Sequence, residues 1–188
     1  MSRTNIKIRL GEVAEILSGV YAKGSPVGKI VYLQGKDLLM PSPETTASRI
    51  EYAPKLSHYI LKKGDLMFVG KGTTYLCEQF TLDIPAVPST TLFTIRLKTD
   101  VISPEFLCWY LNHPSVVAAV KKEQAGSGTP LIHKSTLENL EIVIPDQNTQ
   151  RCIVELSSLQ KQEKALLEAI AEKRMQITNQ ILINELNK

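Results

Sequence analysis

Over the first 146 residues the apolar positions come in short runs, and Gly and Pro stand between them. Ile30–Leu33, Leu66–Val69 and Leu92–Leu97 are the clearest of these runs. They are too short for helices and partly β-branched or aromatic, so they predict strands. Leu10–Leu17 predicts a short helix ending at Gly19, and Met40–Ser48 (MPSPETTAS) a polar loop. Helical spacing then takes over at Phe106, Leu107, Tyr110 and Leu111. Ahead of it, Ser103 suits the N-cap, Pro104 the first helical position and Glu105 the positive end of the helix dipole. His113-Pro114 breaks this helix, and Ser115 can cap a continuation through Lys122. After the loop Gln124–Lys134, Ser135 and Glu138 have capping-box spacing for a brief helical turn, and Leu140–Ile144 reads as a strand closing the domain.

Residues 147–188 contain neither Gly nor Pro and are rich in helix-compatible Gln, Glu, Lys, Leu, Ile and Ala. Leu159, Ile170 and Ile181 are eleven apart, as are Leu166 and Ile177. That repeat is 3.67 residues per turn, a nearly straight apolar stripe on a helix roughly 57 Å long. A domain of this size cannot cover such a length with its own core, so the distal stripe predicts a partner. The simplest is the same helix of a second copy running antiparallel; the plainer alternative is that the helix folds back on its own domain. The fold class is therefore α/β of the α+β type. One mixed domain occupies residues 1–146, and one long helix occupies residues 147–188, forming an antiparallel coiled-coil-like pair in a dimer.

Composition narrows the class. With 43% hydrophobic and 22% charged residues the chain is not disordered wholesale. No run approaches the ~18 apolar residues of a membrane span, and the start MSRTNIKIRL lacks a secretory h-region. Cys77, Cys108 and Cys152 lie far apart without a CxxC, which excludes a disulfide framework and a zinc knuckle. They read as small buried apolar residues, and Trp109 as core or interface. The expectation is a soluble cytoplasmic protein. Its net charge of +3 is modest for a nucleic-acid binder, and charge alone would leave that class a minority reading.

Catalytic signatures are missing. Gly70–Tyr75 and Gly126–Leu131 each lack the third glycine of GxGxxG, and Ser25 stands where a phosphate loop at Gly19–Gly24 would need Lys. There is no HExxH, no GxSxG and no acid-x-Lys half of a nuclease site, and His58, His113 and His133 have no metal-type spacing. Two loops invite explanation: Lys71–Tyr75, directly after the run Leu66–Val69, and Gly126–Lys134. Both join Gly to Thr, Ser and Lys, residues that let backbone N–H groups approach a phosphate or side chains reach base edges. The same residues are also ordinary turn formers. Tyr21, Lys23, Tyr32, Gln34 and Lys36 stand under the same pair of readings.

Six segments in order resemble a known family. Leu10-Gly11-Glu12-Val13-Ala14-Glu15-Ile16 with Gly19 is similar to its opening; Leu33-Gln34-Gly35-Lys36-Asp37-Leu38 and Lys62-Lys63-Gly64-Asp65-Leu66-Met67-Phe68-Val69 with Gly72 follow. Ile102–Leu111 is similar to its proline-started helix, and Gly126–Leu137 with Leu140–Pro145 to the segment before its spacer helix, which Gln150 and Ile153 open. The family is the DNA-sequence-specificity (S) subunit of type I restriction-modification systems, here one target-recognition domain with one spacer helix.

The resemblance implies DNA recognition without catalysis or a cofactor of the chain's own. In that family a methyltransferase subunit methylates adenine with S-adenosylmethionine, and a restriction or translocase subunit moves and cuts DNA with ATP. Family members usually carry two recognition domains and two spacer helices. The half-size form implies a homodimer held by Leu159, Leu166, Ile170, Ile177 and Ile181, reading two inverted half-sites of double-stranded DNA across an unread spacer. It raises Lys71, Thr73, Thr74 and Tyr75 as DNA contacts, then Ser127, Thr129 and Lys134, with Tyr21, Lys23 and Lys36 behind them. The alternative is a protein-interaction module, an orphan half-subunit that binds DNA weakly or only within an assembly; a small standalone enzyme is a third reading.

Overall fold

A computed structural model describes residues 6–72, 74–122 and 131–187. The chain divides into two compact units, Met1–Gln150 and Arg151–Lys188. The first begins with β1 (Ile6–Arg9), a single helical turn α1 (Leu10–Val13), β2 (Ala14–Ser18), β3 (Ile30–Leu33), the turn α2 (Pro43–Thr46) and β4 (Ser48–Ile50). Four strands follow: β5 (Leu66–Val69), β6 (Cys77–Gln79), β7 (Ala86–Pro88) and β8 (Leu92–Leu97). Then come α3 (Pro104–Asn112), α4 (Pro114–Lys122), α5 (Lys134–Glu138) and β9 (Glu141–Ile144). The last helix, α6 (Gln147–Leu186), starts in the first unit and makes up the second.

Among the described residues, three sheets share the first unit. One is antiparallel in the order β2-β8-β5-β6, one is β4-β3-β7, and one is the pair β1-β9. Strand β3 runs antiparallel to β4 but parallel to β7. Its side chains alternate between two cores, as a period of two requires. Val31 and Leu33 join Leu61, Met67, Phe80 and Leu92, whereas Ile30 and Tyr32 join Ile50, Leu56 and Val87. Burial on both faces is why β3, β5 and the start of β8 read as unbroken apolar runs. The predicted strands Ile30–Leu33, Leu66–Val69 and Leu92–Leu97 form with the predicted ends, and the closing strand expected at Leu140–Ile144 begins one residue later, at Glu141.

Several local expectations need correction. Leu10–Leu17 is a helix only to Val13; Ala14–Ser18 is a strand, paired with β8 from Ala14↔Leu97 to Ser18↔Phe93. Leu, Ala and Glu favour helix locally, but pairing with a central strand outweighs that preference. The clue was alternation along the strand, since Ala14 and Ile16 are buried while Glu15 and Leu17 are only partly so. Within the polar loop Met40–Ser48, Pro43–Thr46 closes one helical turn. Helix α3 starts as expected, with Ser103 Oγ accepting from Phe106 N at 3.1 Å. Helix α4 starts at Pro114, so Ser115 lies inside it and hydrogen bonds to His113 Nδ1 at 2.8 Å. Helix α5 starts at Lys134, which puts Ser135 inside it and lets Glu138 pair with Lys134 (3.4 Å). Of the cysteines, Cys77 is buried, Cys108 half-buried and Cys152 exposed, so the expectation of burial fails for the last.

Buried polar groups hold the turns. Arg96 donates from Nε and Nη2 to Asp65 at 2.9 and 2.6 Å, and Nη2 also reaches the Ile60 carbonyl at 3.1 Å. Asp65 Oδ2 accepts from Lys62 N at 2.8 Å, which closes the turn where Gly64 takes φ +94°. The bond to Asp65 raises the Arg96 pKa above its ordinary value, against the opposing effect of burial. Gln150, fully buried, accepts from Ser103 N (2.9 Å) and donates to the Val101 (2.8 Å) and Pro145 (2.9 Å) carbonyls. In this way the first turn of α6 fastens two loops of its own unit.

The second unit is helical from Arg151 to Leu186. At 1.5 Å per residue α6 is about 60 Å long. Leu159, Leu166, Ile170, Ile177 and Ile181 are 48–65% exposed on it, and Leu156, Leu167, Met175 and Leu182 are exposed as well.

Candidate nucleic-acid interface

Three turns from distant parts of the sequence meet at one end of β3, β5 and β8. The first, after β3, is closed by Asp37: its Oδ2 accepts from Gln34 N at 2.8 Å, while Asp37 N donates to the Gln34 carbonyl at 2.9 Å. The second, Ser89–Thr91, joins β7 to β8. Ser89 N donates to the Leu33 carbonyl at 2.7 Å, and Thr91 Oγ1 accepts from Gly35 N at 3.1 Å while lying 2.7 Å from Ser89 Oγ. The third follows β5, with Gly70 N donating to the Thr91 carbonyl at 2.9 Å. A Cβ at Gly70 would stand 2.3 Å from the Phe93 ring, so only glycine allows this approach. Next to it Gly72 takes φ +117°.

Between the turns lies an open groove of about 350 Å3, lined among others by Gln34, Lys36, Leu39, Lys71, Thr74 and Thr91. Lys36 and Lys71 are exposed, and among the described residues neither ammonium has an ion-pair partner. Two uncompensated positive charges on one concave surface attract an anion. The second glycine-containing loop joins at its described end: Ile132 N donates to the Gly70 carbonyl at 2.8 Å, and Lys71 pairs with Leu131 as an isolated bridge.

The structure thus gathers Lys36, Lys71 and Thr74 into one groove. Tyr75 follows Thr74, with Lys121 Nζ 4.6 Å from its ring centre. Lys134, outside the groove lining, is partly neutralised by Glu138. Tyr21 and Lys23 are exposed on the segment between β2 and β3, away from the groove lining. That segment is pinned by the Tyr32 hydroxyl, which donates to the Val20 carbonyl (2.9 Å) and accepts from Ala22 N (3.3 Å). Tyr32 itself is a core residue. Thr73, Ser127 and Thr129 lie outside the described residues. Sequence reasoning overlooked Thr91; the signal was Ser89-Thr90-Thr91 between two apolar strands, a turn able to bond its own backbone. Among the described residues no cluster of three His, Cys, Asp or Glu could hold a metal ion, and no helix is long and apolar enough to cross a membrane.

The mixed α/β domain thus gathers lysines, a carboxamide and hydroxyls in one groove, groups able to bond an anion or a base edge. The model of the type I restriction modification DNA specificity domain matches residues 4–182, and the chain belongs to that family. Among solved structures it is similar to a chain from work on complex assembly and conformational transition of the type I R-M system, with TM-score 0.66, 24% identity and 90% of this chain covered. It is also similar to the HsdS subunit from Thermoanaerobacter tengcongensis (TM-score 0.65, 23% identity, 88% covered). A third is the type I restriction-modification S subunit from M. genitalium (TM-score 0.59, 16% identity, 85% covered). At these identities the likeness concerns the fold. The matches take up 39–41% of those longer chains. No curated protein matches the sequence.

Proposed function

We propose that this chain is the non-catalytic DNA-recognition part of a type I restriction-modification enzyme, directing a methyltransferase subunit to a bipartite target. The observation that carries the reading is the groove with its two lysines, unpaired among the described residues, in a member of a DNA specificity family. Lysines without a carboxylate partner are free to replace counterions on phosphates, and modest net charge is no obstacle when the charge is local. Thr74 lies in the same groove. Tyr75, Lys134, Tyr21 and Lys23, with Thr73, Ser127 and Thr129, are the further DNA contacts of this reading. The methyltransferase subunit brings S-adenosylmethionine, and a restriction or translocase subunit is the further partner.

Two copies pair through α6. Five large apolar side chains at eleven-residue spacing, 48–65% exposed, favour an antiparallel partner helix. A two-fold axis then makes the target two inverted half-sites separated by an unread spacer.

Selection from a randomised duplex pool, with and without a type I methyltransferase subunit, tests the reading: an inverted, gapped motif is expected. No enrichment in either case overturns it and leaves the protein-interaction module, which the net charge of +3 favours. Lys36→Ala and Lys71→Ala should weaken binding across all sequences and lower the slope of log K against log salt by about 0.9 each. Light scattering should give twice 20.9 kDa, and Ile170→Asp should return the monomer. A monomeric parent refutes the paired arrangement.

A further inference from the structure

Resting on the DNA reading above, we infer that Gln34 is a specificity-determining residue and that the base it reads is adenine. Among the polar side chains lining the groove, each has a different capacity. Lys36 and Lys71 only donate. Thr91 Oγ1 is already occupied, accepting from Gly35 N and lying 2.7 Å from Ser89 Oγ. Thr74 has a single rotating hydroxyl. Gln34 alone presents a donor and an acceptor side by side in one plane, and its carboxamide has no hydrogen-bond partner among the described residues.

The backbone beneath Gln34 is fixed from both sides. Its N–H donates to Asp37 Oδ2, its carbonyl accepts from Asp37 N, and the preceding Leu33 carbonyl accepts from Ser89 N. A side chain launched from a clamped backbone loses less freedom on binding, which suits discrimination between closely similar partners. In the major groove adenine offers the matching pair, an acceptor at N7 and a donor at N6, and a carboxamide meets both at once. The flanking lysines take phosphates, which position the duplex but carry no sequence information.

The test is duplex selection with the full chain and two variants. Gln34→Glu keeps the shape but only accepts, so at one position of each half-site the preference should move from adenine to cytosine, whose N4 amine donates. Gln34→Ala should lose the preference there, a discrimination on the order of tenfold or more in the parent, with the other positions unchanged. If the parent enriches a motif and both variants enrich the same one, the assignment to Gln34 is overturned while DNA recognition stands. A parent that enriches nothing overturns both.

Discussion

Replacing Asp65 by Asn probes the bond set that holds the turn before β5. The carboxylate accepts three hydrogen bonds: Lys62 N and Arg96 Nη2 on Oδ2, and Arg96 Nε on Oδ1. Its side chain is 4% exposed and that of Arg96 19%, so water cannot take over. An asparagine oxygen can keep the pair on Oδ2, but its NH2 then faces Arg96 Nε, donor against donor. The guanidinium is left charged and short of an acceptor in a mostly buried place. Breaking one side of such a pair costs about 3 kcal/mol, which for a domain of this size lowers Tm by roughly 6–12 °C. Trp109, the single tryptophan, sits in α3 of the same unit, 5.7 Å from the Phe106 ring, and its fluorescence reports the melt. Asp83→Asn is the internal control: its pair with Lys63 is 3.5 Å long between side chains 84% and 67% exposed, and its loss should leave Tm nearly unchanged. Because Asp65 raises the Arg96 pKa, the arginine's ionisation contributes stability that is fully present below its ordinary range and is lost only as pH rises through that range. An Asp65→Asn melt within 2 °C of the parent, like the control, would refute the reasoning.

Gln150→Leu should cost about 2 kcal/mol, because the Ser103 N–H and the Pro145 carbonyl lose the partner that the buried carboxamide supplies, while the Val101 carbonyl keeps Gln147 Nε2 at 3.2 Å; urea unfolding checks this, and an unchanged midpoint would contradict it. With a thiol reagent at neutral pH, Cys152 should react in the native chain and Cys77 only on unfolding. Burial, followed by the hydrogen bond with Cys108, pushes the Cys77 thiol well above its ordinary 9.0. The unfolded chain therefore ionises first, and stability should fall as pH rises past that value, a decline that Cys77→Ala should reduce in a pH series of melts.

What the sequence revealed depended on how local the cause was. Strands buried on both faces were legible as apolar runs, and α3 as the cap Ser103 with Pro104, because each signal lies within a few residues. Strand β2 was not, since its conformation is set by a partner some eighty residues away. The groove was half legible. Lys71 and Thr74 stood out beside glycines after an apolar run, but their meeting with Lys36 and Gln34 depends on bonds such as Gly35 N to Thr91 Oγ1, which join residues 56 apart. No short-range pattern records such a bond. Of the residues that carried the family resemblance, Asp37, Gly64, Asp65 and Gln150 serve chiefly to shape turns and fasten loops.

That division of labour has an evolutionary consequence. The three turns are secured from within, by main-chain groups and by side chains facing inward, while among the described residues the side chains of Gln34, Lys36, Lys71 and Thr74 take no part in those bonds. Side-chain changes at the outer positions therefore carry little risk of unfolding, and under the proposed reading lineages can drift toward new preferences by few, independent steps. The scaffold is a fixed socket whose lettering is replaceable.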